Sequence, residues 1–161
     1  MKLLVFTNHR AIRDFIVKNY EKKSLLDKLL TIDEFEKRAQ IFQNRKFIDD
    51  DQRAILLKEA ADFGDFDLLK IEKDFLKFIK SSTAILKFFE ELTKEGVTFE
   101  DIQRADTYAE YDSHLNVLKI LFSRYLALLD EHLYVDPINA PMIYEINDDY
   151  LKNFKEIHIF F

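Results

Sequence analysis

The apolar residues of this chain change their spacing twice, and each change marks a change of architecture. "LLVFT", residues 3–7, is a short unbroken apolar run ended by polar residues, which reads as a buried strand. "NHRAIRDFIVKNY" then places Ile12, Phe15 and Ile16 at helical spacing behind Asn8, a residue suited to capping. A second, weaker strand is predicted at "KLLTI", residues 28–32. Behind it Thr31 and Glu34 have the spacing of a capping box, and Phe35, Ala39 and Phe42 recur on one helical face. Residues 1–46 therefore read β-α-β-α, the start of a parallel-sheet domain with crossover helices.

Residues 47–135 read as a helical insertion subdomain, because apolar positions there repeat every 3.6 residues. Ile55, Leu56, Ala60 and Phe63 form one stripe, and Leu68, Ile71, Phe75, Phe78 and Ile79 a second. Ile85, Phe89 and Leu92 form a third that Gly96 can end, and Thr98 with Asp101 can open a short fourth helix. A long last helix carries Leu115, Leu118, Phe122, Tyr125 and Leu129. Only two Gly and two Pro in 161 residues leave few tight turns, which favours such long helices over a many-stranded sandwich or barrel.

Residues 136–161 return to the sheet. Pro141 fits the first turn of a short helix, and Asn147 can cap another that holds Tyr150 and Leu151. The closing "FKEIHIFF" favours a pleated strand, with residues 157–160 expected beside residues 3–6 and parallel to them. A strand at a natural terminus usually has a turn or polar tail beyond it, so either this is the last strand of a sheet or the chain has been cut. Two or three parallel strands are too few to cover their own faces and edges. The expectation is an excised N-terminal piece, with further strands after Phe161. The fold class expected is α/β with a large helical insertion, mostly α with a small parallel sheet.

With 48% hydrophobic residues the chain can bury a core, and the absence of Cys removes disulfide frameworks, thiolate metal sites and cysteine nucleophiles. No internal repeat or low-complexity segment is evident. "MKLLVF" is too short for a secretory core, no stretch reaches the ~20 apolar residues of a membrane span, and a cytoplasmic location is expected. A net charge of −6 argues against a surface that traps nucleic acid everywhere, while leaving room for a local basic strip. Arg10, Arg13, Lys18, Lys22 and Lys23 are near the first turn, and Arg10 and Arg13 are the candidate nucleic-acid contacts, weighed against an ordinary solvated helix face.

Other chemistry finds little support. A phosphate loop needs glycines and a Lys-Ser or Lys-Thr, whereas "TNHRAI" follows the first strand and no Gly precedes Gly64. His9, His114, His132 and His158 stand on separate elements, without the i, i+4 pairing of a helical metal site. Asp49–Asp51 and Asp148–Asp149 precede predicted helices, where carboxylates cap free N–H groups in preference to holding a cation. The single Glu-x-Lys, Glu21-Lys22-Lys23, lies at a solvated helix end and not beside a strand Asp as a two-metal nuclease requires. No catalytic, cofactor-binding or metal residue is assigned, and no cofactor is expected.

"LLVFTNHRAIRDFI", "LLTIDEFEKRA", "DTYAEYDSHLNVLKILFSRYLALLDEHLYVD" and "FKEIHIFF", taken in order, resemble the N-terminal region of AddB-type proteins. These are the RecB-like helicase-nuclease partners of bacterial double-strand-break repair. The resemblance spans nearly the whole chain and rests on element order, apolar pattern and the Tyr125-x-x-x-Leu129 spacing. It implies a P-loop-helicase-like but degenerate fold, since motor-competent relatives carry a glycine-rich loop where this chain has "TNHRAI". It further implies a non-hydrolysing module of a DNA recombination and repair exonuclease subunit. The family's nuclease lies in a later domain, so activity of this fragment is not expected, and the implied partners are DNA, bound weakly through the parent complex, and a helicase-nuclease partner subunit, with no membrane. The rival expectation is a stand-alone helical protein-interaction domain that never touches DNA.

Overall fold

In a computed structural model that describes residues 1–20, 27–72, 74–105 and 112–161, the chain folds as two compact units, 1–42 with 144–161, and 43–143. The first unit opens with β1 (Lys2–Phe6), α1 (His9–Asn19), β2 (Lys28–Thr31), α2 (Ile32–Ala39) and β3 (Gln40–Ile41). The second holds β4 (Lys46–Phe47), α3 (Asp50–Ala60), a 3-10 helix (Gly64–Leu69), α4 (Phe75–Glu95), α5 (Phe99–Ala105), α6 (Asp112–Glu131), β5 (Tyr134–Val135) and α7 (Ala140–Ile143). The chain then completes the first unit with β6 (Glu145–Ile146), α8 (Asp148–Leu151) and β7 (Glu156–Phe160). The chain is mostly helical with a small parallel sheet, as the sequence predicted.

Leu3 to Phe6 are all buried because β1 is the middle strand of three, in the order β2-β1-β7. Both neighbours run parallel to it, Leu3 standing opposite Lys28 on one side and Ile157 on the other. The expected adjacency of residues 3–6 and 157–160 is what the structure shows. Side chains alternate between the faces. Leu3, Val5 and Leu30 form a small core on one face, against Ile32, Phe35 and Phe154. On the other, Phe6 stacks on Phe160 with ring centroids 4.8 Å apart, and Phe15 of α1 tilts against both.

Local chemistry starts the helices of this unit. The Asn8 side chain accepts from the Ala11 N–H at 2.9 Å. Thr31 and Glu34 form the predicted capping box, Thr31 Oγ1 accepting from Glu34 N and Glu34 Oε2 from Thr31 N, so two otherwise orphaned donors are satisfied. The expected helical face through Phe42 is corrected, because α2 stops at Ala39 and the chain becomes extended at Gln40. There β3 pairs antiparallel with β6, and the Ala39 carbonyl accepts from Asn147 N at 2.7 Å. A pairing partner about a hundred positions away thus outcompetes one more turn of helix. Asn147 in turn caps α8, its side chain accepting from Tyr150 N.

In the second unit α3 begins at Asp49, whose carboxylate accepts from Gln52 N at 2.8 Å. It buries Ala54, Leu56, Leu57 and Ala60. The predicted stripe is shifted here, since Ile55 is 52% exposed and Phe63 lies beyond the helix. The second predicted stripe is not one helix either. Gly64–Leu69 is a 3-10 turn that buries Phe66 and ends where Lys70 takes a left-handed conformation at φ 53°. Asp74 then caps α4, which runs through the expected gap between the second and third stripes, because no Gly or Pro interrupts "KSSTA". Its buried residues, Phe78, Ser82, Ile85, Leu86, Phe89 and Leu92, keep one face throughout, and the Ser82 hydroxyl is satisfied by donating to the Ile79 carbonyl.

Gly96 ends α4 at φ 63°, with Val97 N bonded to the Leu92 carbonyl, a Schellman closure that needs a residue tolerant of the left-handed region. Thr98 and Asp101 then cap α5 reciprocally, as predicted. Along α6 Val117, Leu121, Tyr125 and Leu129 are buried. Phe122 meets Phe89 edge-on at 5.0 Å, so α6 locks onto α4 through aromatic contacts. β4 and β5 pair in parallel, Lys46 opposite Tyr134, tying the two ends of this unit together. The compact unit extends beyond the predicted 47–135 on both sides, since Ile138 belongs to its core and residues up to 143 to its contacts.

One polar cluster is built into that core. Asp136 is fully buried, and its carboxylate accepts from Arg53 Nε at 2.6 Å, Arg53 Nη2 at 3.2 Å, the Tyr125 hydroxyl at 2.9 Å and Ile138 N at 2.8 Å. Arg53 Nη2 also reaches Glu90 at 2.5 Å. Burial works against the Arg53 charge, yet the Asp136 and Glu90 hydrogen bonds overcome it and move its pKa up. Burial, followed by the Asp136 charge, also pushes the Tyr125 hydroxyl up, so it stays a donor.

Candidate functional site

The sheet of the first unit has a topological switch. β1 leads through α1 to β2 on one side, while β7 lies on the other, and ligands of open α/β sheets bind at the carboxyl ends of strands where such a switch occurs. At that end stand Thr7, Asn8 and His9 after β1, Thr31 at the end of β2 with Glu34 beyond it, and Phe160 at the end of β7. The Glu34 carboxyl is held below its ordinary range, first by the Thr31 N–H it accepts from, with smaller contributions from the Thr31 hydroxyl and from His9. A negative charge is therefore fixed at the head of α2, in the electrostatic reach of His9.

The connection after β1 is short. Only Thr7 and Asn8 separate the strand from α1, and Asn8 is extended, at φ −161° and ψ 169°. Its side chain already holds the Ala11 N–H, and Asn8 Nδ2 donates to Thr7 Oγ1 at 3.3 Å. A phosphate loop instead uses a glycine-bearing run of about eight residues to wrap the phosphates. What this arrangement offers a ligand is a helix end, an imidazole and flanking basic side chains.

Arg10 and Arg13 lie in the first turns of α1 and are exposed, as is Lys18. Residues three apart share a helix face, so Arg10 and Arg13 lie on one side of α1, near Val17, which is also exposed. Neither arginine pairs with another described acid. Lys22, Lys23 and the Glu21-Lys22-Lys23 triplet lie outside the described residues, as does the "DTYAEY" stretch, 106–111.

The remaining sequence candidates are dispersed. Among the described residues no group of three or more His, Asp or Glu is arranged to hold a metal ion. Asp49 caps α3, with Asp50 and Asp51 in its first turn, and Asp148 and Asp149 sit in the first turn of α8, so these runs serve helix starts. His158 bonds Glu156 at 3.0 Å, and Glu156 pairs with Lys2 at 2.8 Å across β1 and β7.

Sequence reasoning missed Asp136 altogether. Its four donors fill the acceptor capacity of a carboxylate, so it organises the core and is not free for acid-base work. The available signal was "DPIN", in which Asn139 Oδ1 accepts from Asp136 N at 2.7 Å, a self-capping turn. No described helix is long and apolar enough to cross a membrane. No protein-family model matches the chain, and neither a curated protein nor a solved structure matches it.

Proposed function

We propose that this chain is the helicase-like, non-hydrolysing N-terminal module of a bacterial double-strand-break repair exonuclease subunit of the AddB/RecB type. In that role it helps hold a helicase-nuclease partner subunit in the cytoplasm and steers DNA past the carboxyl end of its sheet. The observation that carries this reading is the topology. β1 lies between β2 and β7, all parallel, and a helical unit of residues 43–143 is inserted before the return to β7. The two-residue link from β1 to α1 supports a module without nucleotide hydrolysis, and the exposed Arg10 and Arg13 supply the phosphate contacts.

Fluorescence anisotropy with a labelled DNA single strand, across a salt series, tests it. Binding is expected to be weak, blind to sequence and salt-dependent. Arg10→Glu with Arg13→Glu should flatten the slope of log affinity against log salt by about 1.4, on the basis of ~0.7 per phosphate contact on single strands. Salt-insensitive binding, or none at low salt, counts against the reading. The rival, a protein-interaction domain that does not bind DNA, draws on the half-exposed Ile55 and Phe75 of the second unit, and predicts no DNA affinity in the same assay.

A further inference from the structure

Neither the sheet end nor the Asp136 cluster accounts for a groove on the second unit, between α3 and residues 75–90 of α4. Its two lobes, about 640 and 490 Å³, meet at Ile55 and Phe75, which line both. These two are 52% and 46% exposed, a large apolar surface for side chains at the centre of a concavity. Ala54, Ile79 and Leu86 continue the apolar floor at one end, Phe66 and Phe78 at the other. α3 flanks the groove, and its 11 residues span about 16 Å at 1.5 Å each, or three helical turns.

The rim is acidic. Asp50, Asp51, Glu59, Asp62 and Glu90 line it, against Lys58 and Lys87. Arg53 and Glu90 add little to the balance, because they pair with each other at 2.5 Å and Arg53 also holds the buried Asp136. An apolar trough three turns long with carboxylates along its edges is complementary to a helix with apolar residues at i, i+3 or i+4 and i+7 and cationic flanks. An acidic partner would meet like charge, which rejects it. We propose that this groove docks a short amphipathic helix from a partner protein, with lysine or arginine on both sides of its apolar stripe. The site holds whether or not the repair-subunit reading does, since it uses nothing from the first unit.

The test uses the full chain and a labelled, end-capped peptide of about 15 residues, with leucines at the i, i+3, i+7 positions and lysine and alanine elsewhere. A second peptide carries glutamate for every lysine. The basic peptide should bind with a Kd on the order of 10 µM, and the acidic one at least about tenfold more weakly. Ile55→Gln and Phe75→Gln should each weaken the basic peptide about tenfold, the loss typical of a central apolar anchor. Leu76→Gln, at a 75% exposed neighbour that does not line the groove, should leave binding unchanged. Circular dichroism verifies the fold of each variant. Because Ile55 is half exposed, Ile55→Gln decides the matter even if Phe75→Gln unfolds. Equal affinity for both peptides overturns the proposal, as does basic-peptide binding that Ile55→Gln does not alter, which is diffuse attraction to an acidic protein. A dimer in sedimentation that Ile55→Gln dissolves overturns it in favour of a second copy of the chain.

Discussion

Replacing Arg53 by leucine should be among the most damaging single changes in the second unit. Asp136 is 0% exposed, and Arg53 supplies its only cationic contacts among the described residues, at 2.6 and 3.2 Å, beside the Tyr125 hydroxyl, with Glu90 sharing the same guanidinium. Arg53→Leu leaves a buried carboxylate without its counter-charge, a loss of about 3–5 kcal/mol. Domains of this kind are stable by only about 5–15 kcal/mol, so the variant is brought close to unfolding. At about 2–4 °C per kcal/mol the melting temperature should fall by about 6–20 °C. The same change in an Asp136→Asn background should cost far less, about 1 kcal/mol, because no buried charge is left to strand. Urea and thermal unfolding of the four proteins, followed by circular dichroism, complete the cycle. An Arg53→Leu cost under about 1 kcal/mol, or equal costs in both backgrounds, would refute the argument that the pair acts as a unit.

Three further outcomes are expected. The Glu156 carboxyl is pulled down to about 2 from 4.5, first by its hydrogen bond to Lys2 and then by that to His158, while Lys2 is raised above 10.5 mainly by the same bond. Depressed Glu156 therefore stabilises the fold above pH 4.5 and loses that contribution as pH falls towards 2, and Lys2 loses its own as pH rises beyond 10.5; Glu156→Gln should shrink both limbs of a plot of melting temperature against pH, the acid limb keeping the share of Glu34, Glu100 and Asp101. Gly96→Ala should cost about 1 kcal/mol in urea unfolding through the backbone alone, since φ is 63° and nothing lies within 4 Å of the new Cβ; a neutral result would contradict the left-handed cap. ATP should not bind the isolated chain tightly, and micromolar affinity by calorimetry would overturn that expectation.

What could be read from the sequence is what chemistry decides within one turn of chain. Asn8, Thr31 with Glu34, Asp49, Thr98 with Asp101, and Asn147 all cap partners three residues away, the two Thr pairs legible from their spacing and the others from residue type just ahead of a helical pattern. The parallel return of β7 was legible because short apolar runs at both ends of a helical chain have few other ways to bury themselves. Distance in sequence hid the rest. The Arg53–Asp136 pair joins positions 83 apart, and no periodicity links an exposed-looking helical arginine to an Asp-Pro turn. Phe42 continues a helical pattern perfectly well, until β6 captures the backbone beside it. Leu68, Ile71 and Phe75 fit one helical stripe on paper, but the chain makes a 3-10 turn that buries Phe66 and starts its next helix behind the Asp74 cap. At the candidate site, Arg10 and Arg13 were visible as charges, whereas the electrostatic influence of His9 on Glu34 depends on which strands are neighbours.

The antiparallel rungs of β3 and β6, Gln40 opposite Ile146 and Ile41 opposite Glu145, make a hairpin whose loop is an entire folded unit. That sets an order of events during folding. Closing about 100 flexible residues into such a loop carries a length-dependent entropy cost of about 4 kcal/mol, which two rungs repay poorly. A loop that has already collapsed around Phe89, Phe122 and Tyr125, its ends drawn together by β4 and β5, brings residues 41 and 145 near each other in advance. The pairing of β1 with β7, in which Lys2 stands opposite Glu156, then closes after the unit between them has formed. Until β7 pairs with it, β1 leaves a row of unpaired backbone groups beside the apolar Leu3 to Phe6, an edge open to mispairing.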